Sequence, residues 1–146
     1  MYQRILIAVD GSDVSSHALR DAIALAQSLH SSLRIVHVVD EVTLNWEGEY
    51  ANMPEILESF RESGQRILEK AQIIAREAGM EHEARLLEVQ TLGHRISDVI
   101  LEEAKDWSAD LIVVGTHGRR GLHAVLLGSV SDGVARRATV PVLLVR

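Results

Sequence analysis

The chain has 146 residues, enough for one compact domain, and is 47% hydrophobic with only 3% aromatics, so its core must be built from Val, Ile, Leu and Ala, the composition of parallel sheets covered by helices. Acids outnumber bases 21 to 15 for a net charge of −6, which disfavours nucleic acid as a partner, and the pairs Arg119-Arg120 and Arg136-Arg137 are too small for a duplex footprint. The absence of cysteine excludes disulfides, thiolate metal sites and cysteine nucleophiles, and suits a reducing cytoplasm.

ILIAV (Ile5 to Val9) is apolar at every position, which predicts a strand covered on both faces. The apolar run before Asp10 is too short for a signal-peptide core and far short of the roughly 20 residues of a membrane span. A cytoplasmic location without membrane insertion is therefore expected. After the turn DGSD, apolar residues at Ala18, Leu19, Ala22, Ile23, Ala26 and Leu29 recur at spacings of three and four, predicting a helix capped by Ser12 or Asp13. LRIVHVV (Leu33 to Val39) predicts the second strand, and His37 within it reads as a hydrogen-bonded core histidine.

Residues 40 to 53, DEVTLNWEGEYANM, have no clear period and read as a long loop, anchored by Trp46 and Tyr50 and a candidate lid. Pro54 opens a long helix with Ile56, Phe60, Ile67, Ala71, Ile74 and Ala78 on one face, Gly64 on the same stripe for close packing, and Gly79 where the helix should stop. HEARLLEV (His82 to Val89) predicts a third strand, polar enough to lie near an edge. Gly93 introduces a helix carrying Ile96, Val99, Ile100 and Ala104. DLIVV (Asp110 to Val114), GSVSDGVARRA and PVLLVR follow as strand, helix and strand, with Arg136-Arg137 suited to the negative end of the last helix. The alternation predicts a single α/β domain over residues 1–146, an open five-stranded parallel sheet with helices on both faces.

In such a sheet ligands sit at the carboxyl ends of the strands where the winding switches. The loops DGSD and GTHG are the natural pair to flank that crevice. Between the fourth strand and the last helix stands GTHGRRGLHAVLLGS, with glycines spaced G-x2-G-x9-G-S. Gly115 and Gly118 allow sharp turning and close approach to a ligand. Gly128-Ser129 opens a helix whose free N–H groups and positive dipole end favour phosphate, and the Ser129 hydroxyl adds a donor. Arg119 and Arg120 offer countercharge. There is no Walker motif, and the only lysines, Lys70 and Lys105, lie elsewhere. Asp10 suits a ribose hydroxyl and His117 a phosphate contact. No residues carry convincing metal-ligand spacing, so Mg2+ would be held chiefly by the phosphates.

The chain resembles the ATP-binding universal stress proteins over nearly its whole length, through ILIAVDGS, VHVVD, DLIVVGTHGRRG, the glycine spacing and VPVLLVR. The resemblance implies an adenine-nucleotide alpha-hydrolase-like fold with strand order 3-2-1-4-5. It places Ala8, Val9 and Asp10 at the nucleoside, the backbone of Val38 at the adenine edge, and Gly115, His117, Gly118, Gly128, Ser129 and Ser131 at the triphosphate. Arg119 and Val130 complete the candidate set.

The ligand implied is ATP, with ADP and AMP left open. The apolar terminal strand 141–146, at a sheet edge, implies a homodimer like those of the family. The reading is a nucleotide-dependent regulator of the stress response, acting on an unidentified protein partner. Its rivals are a slow ATPase or phosphoryl or nucleotidyl transferase, for which no catalytic base is apparent, and a plain interaction module.

Overall fold

The computed structural model describes residues 1–40, 53–117 and 127–146. Strands β1 (Arg4–Ala8), β2 (Ser32–Asp40), β3 (Glu83–Val89), β4 (Leu111–Gly115) and β5 (Val142–Val145) form one parallel sheet in the order β3-β2-β1-β4-β5. Helices α1 (Asp13–Leu29), α2 (Met53–Glu77), α3 (Ile96–Asp106) and α4 (Ser129–Arg137) connect or flank them. The predicted loop anchors Trp46 and Tyr50 lie outside the described residues.

Central β1 explains the layering. Successive side chains on a strand point to opposite faces, and Ile5, Leu6 and Ile7 are all fully buried. Ile5 and Ile7 join Leu33, Ile35, Leu111 and Val113 in the core under α1 and α2. Leu6 joins Val36, Ile112 and Val114 in the core on the opposite face, under α3 and α4. Polar β3 is an edge strand, as its composition predicts, and β5 is the other edge.

The predicted helix signals act locally. The Ser12 hydroxyl accepts the Ser15 N–H at 3.1 Å and caps α1. Gly79, at φ +71°, stands just beyond the end of α2. Gly64 lets α2 lie close on the sheet: a Cβ there would stand 2.8 Å from Val39 Cγ2 and 3.1 Å from Leu86 Cδ1.

The amino-terminal half of the sheet carries an ion cluster that periodicity does not announce. Glu103 of α3 is buried and accepts from Arg34 Nη1 at 2.6 Å and Arg85 Nη1 at 3.0 Å. The Arg34 guanidinium stacks 4.6 Å from the Trp107 ring centroid, with Arg4 at 5.7 Å. This cluster fixes α3 against β2 and β3 well away from the strand-end loops. Among the described residues no helix is long and apolar enough to cross a membrane.

Candidate functional site

The strand order sets β1 beside β4, so the carboxyl ends of these two strands, where a doubly wound sheet takes its ligands, lie side by side. On the β1 side the chain turns through Gly11, at φ +83°, a conformation glycine adopts without strain. Asp10 is half-buried, and its Oδ1 accepts the Ser12 N–H at 2.9 Å. The Asp10 N–H points to the Ser15 hydroxyl at 3.3 Å, and that hydroxyl donates to the Ser12 carbonyl at 3.2 Å. The turn thus holds the Asp10 carboxylate by one oxygen, and Oδ2 takes no bond from any described residue. Ala8 is half-buried and Val9 buried at the same strand end.

On the β4 side, the missing side chain of Gly115 is explained first by packing. A Cβ there would stand 2.9 Å from Val14 Cγ1 and 3.3 Å from the Val14 carbonyl carbon, so the glycine seats α1 against the end of β4. Thr116, which sequence reasoning did not single out, is the fixed point beyond it. Its N–H donates to the Val145 carbonyl at 2.8 Å, and its carbonyl accepts both the Gly128 N–H at 2.8 Å and the Ser131 hydroxyl at 2.9 Å. Those two bonds join the end of β4 to the start of α4. The Thr116 hydroxyl also lies 2.8 Å from Nδ1 of His117. Its signal in the sequence was only its position between a strand and the glycine loop.

Gly128 is the N-cap of α4, at φ −63° and ψ 159°, where any residue is at ease. The first helical bond runs from the Asp132 N–H to the Gly128 carbonyl at 2.9 Å. The N–H groups of Ser129, Val130 and Ser131 therefore have no acceptor within the helix. Ser129 is exposed, Val130 half-buried and Ser131 buried. The Ser131 hydroxyl proton goes to Thr116, so what Ser131 presents is its amide. Gly118 and Arg119 lie outside the described residues.

Packing against α3 aims α4. A Cβ on Gly133 would meet Ser97 Oγ at 2.6 Å, so the two helices touch there. Arg137 Nη2 donates to Ser97 Oγ at 2.6 Å and Nη1 pairs with Asp98. Arg137 thus bridges helices, beyond the dipole role its position predicts, while Arg136 pairs within α4 to Asp132 at 2.9 Å.

The third wall is β2, which outruns β1. Its side of the ladder starts with the Ser32 N–H on the Gln3 carbonyl at 2.8 Å, and the last bond is the Val9 N–H on the Val36 carbonyl at 2.9 Å. Pairing stops at Ala8 with Val36. By the two-residue period of a strand the amide and carbonyl of Val38 also face β1, and among the described residues no rung joins that amide to Val9. The Val9 carbonyl instead meets Nδ1 of His37 at 2.7 Å, so His37 is hydrogen-bonded as predicted, but at the rim of the core.

Ala8, Val9, Asp10, Val38, Gly115, Thr116, His117 and the first turn of α4 therefore gather at one end of the sheet. The architecture defines a doubly wound α/β protein with a crevice at its switch point. The chain belongs to the universal stress protein family, whose family model, described as Universal stress protein family, matches residues 1–146. A universal stress protein of Methanocaldococcus jannaschii is 38% identical over 149 residues, spanning 100% of this chain and 83% of the relative. The crystal structure of a universal stress protein in complex with cAMP is similar at a TM-score of 0.73 and 29% identity, covering 99% of this chain and 97% of that one. The structure of the universal stress protein from Archaeoglobus fulgidus in complex with dAMP is similar at a TM-score of 0.69 and 27% identity, covering 99% of this chain and 98% of that one.

The seat of α4 makes a pH prediction. The Asp98 carboxylate accepts the Arg95 N–H at 2.8 Å and faces Arg137, and both hold its pKa below the ordinary value. A depressed pKa gives stability that is present above the ordinary carboxylate range and is lost as pH falls through the folded value. Arg137→Gln should move the Asp98 titration upward, followed by carboxyl NMR, and weaken its share of acid resistance. An unmoved midpoint would show that Arg137 does not set it.

Proposed function

We propose that this chain binds an adenine nucleotide in the crevice between β1 and β4, with ATP as its ligand, and acts as a cytoplasmic, nucleotide-dependent regulator of the stress response. The observation that carries the reading is a matched set of groups at one strand end that take no bond from any described residue outside their own element. Oδ2 of Asp10 can accept from a ribose hydroxyl, the β1-facing amide and carbonyl of Val38 can meet a base edge, and the first amides of α4 can bind phosphate. The complexes of related proteins with cAMP and dAMP support the same ligand class.

In this reading Ala8 and Val9 line the nucleoside, while Gly115, His117, Gly118, Arg119, Gly128, Ser129, Val130 and Ser131 surround the phosphates. Mg2+ would be carried by the phosphates. A regulator further requires that its protein partner distinguish the loaded from the empty form.

The chain is proposed to act as a homodimer through strand 141–146. Edge strand β5 exposes Leu143 at 38%, an apolar side chain where an unpaired edge is a liability. Light scattering on Leu143→Glu should report a monomer if that edge is the interface. A mass unchanged from a wild-type dimer would move the interface elsewhere.

Asp10→Asn tests the nucleoside site. Asparagine keeps Oδ1 for the Ser12 N–H but replaces the available carboxylate oxygen by a donor. Calorimetry should show AMP binding weakened about tenfold, the scale of one charge-assisted hydrogen bond, with tripolyphosphate binding unchanged. Equal AMP affinity in both proteins would remove Asp10 from the site.

A further inference from the structure

The missing rung between Val38 and Val9 has a specific occupant. Bonds from β2 amides to β1 carbonyls begin with Ser32 to Gln3, and their register makes Val38 to Val9 the next rung beyond the paired strands. A carbonyl only accepts, so the His37 ring nitrogen 2.7 Å from the Val9 oxygen carries the proton, and His37 holds it on Nδ1. The ring is confined from the far side. A Cβ on Gly64 would stand 3.2 Å from His37 Cδ2, so α2 closes over the imidazole and leaves it little room to swing away from the sheet.

We propose that His37 is a positioning residue that keeps the base-reading edge of the crevice open. Its ring takes the Val9 carbonyl at 2.7 Å and turns that oxygen off the line of the Val38 amide, which the carbonyl's second lone pair would otherwise be able to accept. That arrests β1 pairing at Ala8 and leaves the amide and carbonyl of Val38 together as a donor–acceptor pair for the edge of an adenine ring. The role rests on the nucleotide reading above, but the arrest of the ladder is a property of the protein alone. The buried contact at Gly64 makes α2 part of the same device, because a shift of that helix would move the ring.

Two measurements on wild type, His37→Phe and His37→Asn test this. Phenylalanine keeps a ring without a donor, whereas asparagine sets an N–H near the position of Nδ1. In nucleotide-free protein, hydrogen exchange at the Val38 amide should slow about tenfold in His37→Phe, as a new backbone bond forms, and stay at the wild-type rate in His37→Asn. Unchanged or faster exchange at Val38, with the Ile7 and Ile35 amides still protected, would overturn the proposal. Should His37→Phe lose protection at Ile7 and Ile35 as well, Gly64→Ala, which presses on the same ring from α2, takes its place with the same expected direction.

Calorimetry then separates positioning from general support. His37→Phe should weaken AMP about tenfold and ribose 5-phosphate less than about twofold, with His37→Asn restoring AMP. Equal losses for both ligands would overturn the proposal, since only the base should be affected. If wild type binds neither, the nucleotide reading fails, and amide exchange alone decides the role of His37.

Discussion

The double-sided burial of β1 is the constraint on which the molecule rests. Ile5, Leu6 and Ile7 are excluded from water in succession, so neither face of the central strand can be left to solvent. Helices must cover both faces, and in a parallel sheet the crossovers supply them. Order β3-β2-β1-β4-β5 then sets β1 beside β4, which leave toward opposite layers. The crevice is the consequence of that divergence: it lies where the chain has stopped pairing and has not yet become helix.

What makes this opening a candidate site is how firmly its walls are held by bonds that spend no group facing it. Asp10 is oriented through one oxygen, by the Ser12 amide, leaving the second. Thr116 uses both lone pairs of its carbonyl on Gly128 and Ser131, so the end of β4 and the start of α4 are one unit. The direction of α4 is fixed from behind, by the contact of Gly133 with Ser97 and by Arg137 across to α3. On the β2 side the His37 ring serves the Val9 carbonyl. Three backbone elements and one carboxylate are thereby pre-organised at the cost of groups that point elsewhere.

The layered fold was legible because it rests on periodicity, which one sequence displays in full. ILIAV predicts two-sided burial, the α1 stripe predicts its buried face from Ala18 to Ala26 though its last member, Leu29, is exposed, and polar β3 predicts an edge. The reasons behind individual site residues were less legible, because they depend on which distant atoms meet. Gly115 looks like a loop glycine made for a ligand, yet its nearest constraint is Val14 of α1. Arg34 sits in an apolar strand, and only the fold reveals Glu103 and Trp107 around it. Thr116 carries no motif at all. His37 was readable as a bonded core residue, but its acceptor, and with it the arrested ladder, follows from tertiary register.

In the proposed site one nucleotide joins the end of β2, the turn after β1 and the first turn of α4. The direct measurement is an amide NMR titration of the 15N-labelled protein with ATP and Mg2+. Asp10, Val38, Ser129, Val130 and Ser131 should shift together along a single saturation curve, with the β3 amides unmoved. Saturable shifts confined to other parts of the chain, or no saturable shift at all, would contradict the proposed site.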